Sequence, residues 1–327
     1  MTSGGRTLSD RHHSAGRAVN WGLARVLGFL CWRSRDRCLP MLAVAIFSAS
    51  VGVAASGGDS APPIAGRDTS SRGSRGACPE SVLGTEYIQM PFDVDPGVHR
   101  RFPPSYTGYS NVYPVRRDKG AAPAFWVYYP EGTYDPGSMM RLGRRIGGAV
   151  FQVPVPSGPL DCIFLHYEFV LPHDFDFAQG GKLPGLYGGV PVSGGATADG
   201  FNGFSVRLVW DPEGTGAVYA YVPGKEGRYG SRLGNVSWPL SKGVAQEVDI
   251  QIVLNSPGEK NGVLRVWIND ILRFESANIS YRSTPDLKVD GLLFSSFFGG
   301  SSPRFANPKD AYILFSDFYF SDSRYRR

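Results

Sequence analysis

Hydrophobic and polar residues alternate with a period of two along much of the second half of the chain. In residues 247–254 every second side chain is apolar, and Glu247, Asp249 and Gln251 fall on the other face. Residues 263–268 repeat the pattern and are followed by a turn at Asn269-Asp270. The same strand signal recurs in residues 163–171, 292–298 and 312–320. Alternation of this kind predicts half-buried β-strands. Many short strands without a long amphipathic helix predict an all-β, two-sheet antiparallel sandwich of the jelly-roll type.

The hairpin predicted for residues 204–222 carries an unusual set of polar side chains. Its first strand places Ser205 and Arg207 opposite the apolar face, and its second strand does the same with Tyr219 and Tyr221. In an antiparallel pair, facing residues lie on the same side of the sheet. Any register that buries both apolar sets therefore places one of the two tyrosines across from Arg207. We expect a hydroxyl, a guanidinium and two phenols on one open sheet face.

A glycine-rich segment, residues 180–189 (GGKLPGLYGG), precedes this hairpin. It is interpreted as a loop in which Pro184 fixes the backbone and Lys182 is presented. Taken alone, Lys182 also fits a solvated turn residue, and the hairpin residues also fit the outer face of an ordinary exposed strand. A catalytic site and a sugar- or peptide-binding face are the two functional alternatives.

Composition supports the all-β prediction, and the charge distribution argues against nucleic-acid binding. The 327 residues include 42 Gly, 25 Pro and 13% aromatics, but only 19% charged residues. The net charge of +5 is confined to residues 1–55, which hold seven arginines and two aspartates and leave 27 basic and 27 acidic residues for the rest. Because no basic strip interleaved with aromatics follows this region, we expect no nucleic-acid binding.

The amino-terminal region is predicted to be a targeting segment. Residues 1–56 form a basic leader whose apolar part, residues 38–56, is typical of a signal peptide or a signal anchor, with an organelle transit segment as a further alternative. Residues 57–76 are rich in Gly, Ser, Pro and Arg, and are predicted to be a flexible linker. The folded domain is expected at 77–327. Localisation is predicted to be secreted or extracellular, or membrane-anchored through the leader if the leader is not cleaved.

Two cysteines, Cys78 and Cys162, lie in the predicted mature domain. In an exported protein they are a candidate disulfide, the alternative being two free buried thiols. Asn235 and Asn278 begin glycosylation sequons, which matter only in a eukaryotic host. No cysteine and histidine cluster has metal-ligand spacing, and we expect neither a metal nor another cofactor.

The chain resembles the fourteenth polysaccharide lyase family, the alginate and glucuronan lyases. The resemblance covers residues 120–322 and rests on GGKLPGLYGG, FSVRLVW, VYAYVP and a carboxyl-terminal run with FFGG. It implies a jelly roll whose concave face binds an acidic polysaccharide. It also implies that the active site consists of Lys182, Ser205, Arg207, Tyr219 and Tyr221.

These residue types suit β-elimination from a polyuronate. A cation at the C6 carboxylate, Lys182 or Arg207, makes the C5 proton acidic. A tyrosine is a poor base at its ordinary pKa, so we expect the facing Arg207 to lower the pKa of Tyr219 or Tyr221. One tyrosine then removes the proton, and the same or the other protonates the leaving O4. Ser205 is expected to orient the carboxylate or a hydroxyl of the substrate.

Two rival functions belong to other classes. A hydrolase needs two carboxyl groups across a cleft, which residues 182–221 do not offer outside the turn at Asp211 and Glu213. A non-catalytic carbohydrate-binding protein on the same fold is the main alternative. The molecule is expected to be a monomer. Residues 116–145, with two pairs of adjacent aromatics, are interpreted as a strand and a wall of the cleft.

Overall fold

The computed structural model of the chain describes residues 78, 84–88, 90, 107–115, 123–224 and 227–324. The predicted leader (1–56) and linker (57–76) lie outside the described residues, so those predictions stay predictions. The described chain is almost entirely β. Its strands are β1 (Thr85–Tyr87), β2 (Val112–Val115), β3 (Ala124–Tyr129), β4 (Ala149–Pro154), β5 (Cys162–Val170), β6 (Gly181–Gly189), β7 (Gly203–Trp210), β8 (Thr215–Tyr221), β9 (Ser231–Arg232), β10 (Trp238–Pro239), β11 (Ala245–Val253), β12 (Gly262–Ile268), β13 (Ile271–Ile279), β14 (Gly291–Phe298) and β15 (Ala311–Ser321).

The strands form two antiparallel sheets. Sheet A has the order β13-β12-β11-β5-β15-β3-β2, with β1 also paired to β15. Sheet B has the order β10-β8-β7-β6-β14-β4, with β9 also paired to β8. One short α-helix, α1 (Pro136–Arg141), and two 3₁₀ segments, Tyr109–Asn111 and Pro303–Phe305, lie between strands. The Asp135 side chain caps α1 by accepting a hydrogen bond from the Ser138 amide at 2.8 Å.

Aromatic side chains hold the two sheets together. Phe294 of β14 lies 5.5 Å from Phe125 of β3 and 5.1 Å from Phe315 of β15, measured between ring centroids. The buried Tyr129 hydroxyl of sheet A lies 2.6 Å from the Ser296 hydroxyl of sheet B. These contacts join the inner faces of both sheets into one hydrophobic core. The jelly-roll sandwich predicted from the sequence is confirmed.

Strand positions agree with the hydrophobic pattern because one face of each strand is buried. The alternating apolar residues Val248, Ile250 and Ile252 are completely buried in β11. The turn at Asn269-Asp270 has positive φ at both residues (49° and 65°), a conformation that Asn and Asp tolerate better than most residues. The Cys78 and Cys162 sulfurs form a disulfide, and Phe164 packs beside it.

Two expectations about local structure are wrong. Lys182 does not lie in a loop, because Gly181–Gly189 forms strand β6 with an irregularity between Leu183 and Gly185. The outer face of β11 is not solvated: Asp249 is 5% exposed and Gln251 is buried. Polar partners explain this burial, since Asp249 pairs with His166 at 2.8 Å and Gln251 accepts a hydrogen bond from Arg265 at 2.9 Å.

Residues 116–145 supply the predicted strand, β3, which belongs to sheet A and not to the sheet that carries the predicted site. Their role as a wall of the cleft stays a prediction. Over the part of the chain that the structure covers, no helix is both long enough and apolar enough to span a bilayer.

Candidate active site

Three adjacent strands of sheet B bring the five predicted residues together. Lys182 lies on β6, Ser205 and Arg207 on β7, and Tyr219 and Tyr221 on β8. The antiparallel register pairs Arg207 with Tyr219 and Ser205 with Tyr221. All of them lie on the outer face of sheet B, because the alternate residues of β7 and β8 are in the core. This arrangement matches the one predicted from the hairpin.

The two cationic groups lie against the tyrosine rings. The Lys182 Nζ lies 3.9 Å from the centroid of the Tyr219 ring. The Arg207 Cζ lies 5.9 Å from the Tyr219 centroid and 5.7 Å from the Tyr221 centroid. The two rings meet edge to face with centroids 5.8 Å apart. Cation–π attraction holds the ammonium and the guanidinium near the phenols.

Arg207 is buried and only partly satisfied. It is 4% exposed, and its Nη1 donates a hydrogen bond to the Ser295 hydroxyl of β14 at 3.0 Å. Its Nε is buried and has no hydrogen-bond partner among the described residues. Gly185 of β6 pairs with Arg207 of β7. A Cβ at Gly185 would lie 2.0 Å from the Val206 carbonyl oxygen, so only glycine fits there. A buried guanidinium with an unused donor is suited to bind an anionic group.

Surrounding chain turns this outer face into a recessed site. Tyr221 is 6% exposed and packs with Val192 and Ala198 from the segment after β6. Ser205 is completely buried, and its hydroxyl donates to the Val192 carbonyl at 2.6 Å. The expected open face is therefore wrong: Lys182 and Tyr219 are half-buried, whereas the other three are buried. A substrate contact for Ser205 stays a prediction, and its contact in the structure holds the neighbouring segment in place.

Burial and nearby positive charge change the acid–base properties of Lys182. Desolvation, followed by the positive charges of Arg207 and Arg232, lowers the Lys182 pKa to about 7. Arg232 faces Tyr219 from β9 and also pairs with Asp211 at 3.1 Å. The lowered pKa makes the neutral amine of Lys182, the form that can accept a proton, far more populated near neutral pH than in an ordinary lysine.

The pKa of Tyr219, the tyrosine that faces Arg207, shifts in the direction opposite to the one expected. Burial raises the pKa of Tyr219, and the adjacent Tyr221 adds to the increase. The charge of Arg207 lowers the Tyr219 pKa, as expected, but this contribution is the smaller one. The prediction of a phenolate activated by Arg207 is therefore wrong for Tyr219. A phenol that keeps its proton is suited to donate it.

Sequence reasoning missed two residues around the site. Ser295 was placed within a predicted strand, and its role follows from the hydrogen bond with Arg207 that only the pairing of the strands reveals. Desolvation lowers the pKa of both Lys182 and Arg207, and the negative charge of Asp135, beside α1, opposes this lowering. The aromatic-rich segment that contains Asp135 gave no signal that pointed to it.

Other parts of the described chain offer less to this chemistry. Within the described ranges, no group of three or more His, Cys, Asp or Glu side chains is placed to hold a metal ion. A cavity of about 520 Å³ lies at the edge of the sandwich, between β13 and the chain that follows β8. Its lining includes Phe274 and Lys260 but none of the five predicted residues. The recessed face of sheet B therefore remains the candidate active site.

The fold agrees with that of known lyases. The sequence profile of the family described as Polysaccharide lyase 14 matches residues 117–318. A marine PL-14 alginate lyase from Aplysia kurodai is similar over 73% of this chain and 98% of its own, at 22% identity and a TM-score of 0.60. The alginate lyase vAL-1 from a Chlorella virus is similar over 66% of this chain and 90% of its own, at 20% identity and a TM-score of 0.55. Alginate lyase Aly36B matches at 20% identity over 67% of this chain and 89% of its own, with a TM-score of 0.54. No curated protein sequence matches the chain.

The two-sheet antiparallel sandwich is the fold that the chain shares with these alginate lyases. Because the profile covers more than half of the sequence, the chain belongs to the polysaccharide lyase 14 family.

Proposed function

We propose that this lyase cleaves an acidic polyuronate, alginate or glucuronan, by β-elimination without a metal. The observation that carries the proposal is that one amine, Lys182, and one guanidinium, Arg207, are held against two tyrosines on one recessed face. Alginate is the polymer named for the similar enzymes from Aplysia kurodai and a Chlorella virus. Glucuronan remains in the proposal because the same chemistry applies to any uronate with a 4-linked substituent.

Arg207 is assigned to the C6 carboxylate of the sugar that loses its C5 proton. Its Nη1 is anchored on the Ser295 hydroxyl, and the substrate carboxylate is assigned to the other donors of the guanidinium. An arginine keeps its charge even where burial lowers its pKa, as it does here. The fixed charge stabilises the negative charge that develops on the carboxylate when the C5 proton leaves.

Lys182 is assigned as the base and a tyrosine as the acid. The neutral Lys182 amine takes the C5 proton, and the electron pair of the C5–H bond forms the C4–C5 double bond. The C4–O4 bond breaks, and the tyrosine phenol protonates the departing oxygen. The lowered Lys182 pKa and the raised Tyr219 pKa both support this assignment at neutral pH. The base, the acid and the cation at the carboxylate are therefore all side chains of this protein.

We also propose that the enzyme acts outside the cell. The predicted leader supports this location, and so does the Cys78–Cys162 disulfide, since disulfides persist in oxidising compartments. Expression of the full sequence, followed by amino-terminal sequencing of the protein recovered from the medium, tests it. Retention of the protein inside the cell would contradict it.

Mixing the purified domain with a panel of polyuronates tests the reaction. We expect ultraviolet absorbance from the new C4–C5 double bond to rise with alginate or glucuronan, equally with and without a chelator. Reducing ends without this absorbance would indicate a hydrolase. Binding of the polymer without any cleavage would indicate a non-catalytic carbohydrate-binding protein, and both outcomes contradict the proposal.

A further inference from the structure

A second arginine lies on the same outer face of sheet B as the five site residues. Arg232 of β9 pairs with Tyr219 of β8, and Tyr219 pairs on its other side with Arg207 of β7. Because paired residues of antiparallel strands project to the same side, the three side chains share this face. Tyr219 is therefore flanked by an arginine on each neighbouring strand, and only Arg207 has a role in the proposed reaction.

The two guanidinium groups are anchored at different places. Arg207 donates to Ser295 of β14, which lies beyond β6, on the side of β7 away from β9. Arg232 donates from Nη2 to the Asp211 carboxylate at 3.1 Å, in the turn that joins β7 to β8. The positive charges of both arginines lower the pKa of Lys182. The amine of the proposed base therefore lies within electrostatic reach of two separate cations.

Asp211 fixes the direction of the Arg232 side chain from below. Asp211 is 8% exposed, and its oxygens also accept hydrogen bonds from the Thr215 amide at 2.9 Å and the Thr215 hydroxyl at 2.6 Å. The Arg232 side chain is 48% exposed, and the bond to Asp211 is its one hydrogen bond among the described residues. Asp211 offsets part of the charge, but a guanidinium has five N–H donors. The remaining donors of Arg232 are available to an anionic ligand.

We propose that Arg232 binds the carboxylate of a second uronate, next to the sugar whose carboxylate Arg207 holds. The inference rests on the proposed function and adds a subsite to it. Neighbouring strands lie about 4.8 Å apart, so two strand spacings separate the backbones of Arg207 and Arg232. With this separation and their different anchors, the two guanidinium groups bind two carboxylates of one polymer. Asp211 is a positioning residue for this contact.

The subsite gives the enzyme a preference for polymers in which neighbouring sugars are both uronates. Arginine meets a carboxylate with two parallel, charge-assisted hydrogen bonds, which a neutral sugar cannot replace. A chain in which uronates alternate with neutral sugars satisfies Arg207 and leaves Arg232 without its ligand. Arg232 is therefore a specificity-determining residue for the proposed reaction.

Isothermal titration calorimetry with alginate and glucuronan tetrasaccharides measures this contact. The parent protein carries Lys182→Ala, so that the ligand is not cleaved. In this background Arg232→Gln should weaken binding about tenfold, because one charge-assisted contact to a carboxylate is lost. Lys309→Gln is the matched control, since Lys309 has a side chain 45% exposed and pairs with Asp174 at 2.7 Å, but precedes β15 of sheet A. It should leave the affinity unchanged.

Kinetics at pH 9 separate a contact with the substrate from an effect through Lys182. At this pH a lysine with a pKa of about 7 is neutral with or without a neighbouring charge. In the otherwise wild-type enzyme, Arg232→Gln should raise KM for the polymer about tenfold at pH 9 and change kcat much less. A wild-type KM at pH 9 would show that Arg232 acts only on the ionisation of Lys182, and would overturn the proposal.

A second variant keeps the test decisive if Arg232→Gln fails to fold. Arg232→Met keeps a long apolar stem without the charge and should weaken binding equally. Unchanged affinity in the folded variants, or an equal loss in Lys309→Gln, would overturn the proposal.

The outcomes also distinguish the subsite from the lyase. If the wild-type protein cleaves no polyuronate but Arg232→Gln still weakens binding, the subsite is supported and the lyase is contradicted. Cleavage by the wild-type protein with unchanged affinity and KM in Arg232→Gln supports the lyase and contradicts the subsite. Absence of binding in the Lys182→Ala parent would also contradict the subsite.

Discussion

Two buried arginines, one on each sheet, show how the two outer faces differ. Arg265 of sheet A is 7% exposed, and it donates to Glu275 at 2.7 Å and to Gln251 at 2.9 Å. Arg207 of sheet B is 4% exposed, yet its Nε has no hydrogen-bond partner among the described residues. Burying a charge costs free energy unless partners compensate. The charge of Arg265 is compensated within the fold, whereas the buried Arg207 keeps one donor that no described residue satisfies.

The same contrast holds for the neighbours of each arginine. On sheet A, Asp249 pairs with both His166 and Arg324. On sheet B, Lys182 lies over a tyrosine ring and near other cations, and its pKa falls to about 7. The paired charges of sheet A stabilise the fold, and the perturbed Lys182 of sheet B belongs to a candidate functional site.

Replacing each arginine in turn should separate activity from stability. Arg207→Ala should lower kcat/KM by about a thousandfold or more, because it removes the charge that stabilises the transition state. Arg265→Ala should leave kcat/KM near the wild-type value but lower the free energy of unfolding by about 1–3 kcal/mol, since it leaves the buried Gln251 carbonyl unpaired. Initial rates and urea unfolding of both variants measure this. An Arg207→Ala enzyme with wild-type activity would contradict the assignment of Arg207 to the reaction.

Removing either phenol should have the next largest effect. Tyr219→Phe and Tyr221→Phe each keep the ring that packs with the cations but lose the hydroxyl. We expect the variant that lacks the proton donor to lose about 10²- to 10⁴-fold in kcat, with unfolding unchanged. Tyr312→Phe on sheet A is the matched control and should keep the wild-type kcat. Wild-type rates in both sheet B variants would refute the role of the phenols.

Lys182→Met should stabilise the protein while abolishing its activity. The folded-state pKa of Lys182, about 7, is below the unfolded value near 10.4, so folding opposes protonation. This cost is complete below pH 7 and disappears as the pH rises toward the unfolded value. The gain in Tm from Lys182→Met should therefore be larger at pH 6 than at pH 9.5. A Tm gain that does not depend on pH would contradict the lowered pKa.

Ser295→Ala should have the smallest effect of these variants. The Ser295 hydroxyl touches Arg207 and not the reacting atoms, so it acts as a positioning residue. We expect kcat/KM to fall about tenfold, as one hydrogen bond to a charged group is lost. Ser295→Thr, which retains the hydroxyl, should recover most of the activity. If Ser295→Thr were as impaired as Ser295→Ala, packing rather than the hydrogen bond would be responsible.

Local patterns predicted most of this fold, because the face of each strand that packs in the core is apolar and gives the sequence a period of two. The pairing of Arg207 with a tyrosine followed from a single hairpin. Burial of whole faces could not be predicted, since it depends on chain that arrives from elsewhere, such as Val192 over Ser205. The sign of the Tyr219 pKa shift was missed for that reason: a neighbouring charge is visible in sequence, and desolvation is not.

The pH dependence of kcat/KM for the wild-type enzyme on its uronate tests the central claim most directly, because it reports the ionisation of the free enzyme. If the unpaired Lys182 amine is the base, kcat/KM should rise with pH through a midpoint near 7, the Lys182 pKa. A profile that falls through this range would make Lys182 the required cation, and a flat profile would remove it from the reaction. Either result would contradict the account.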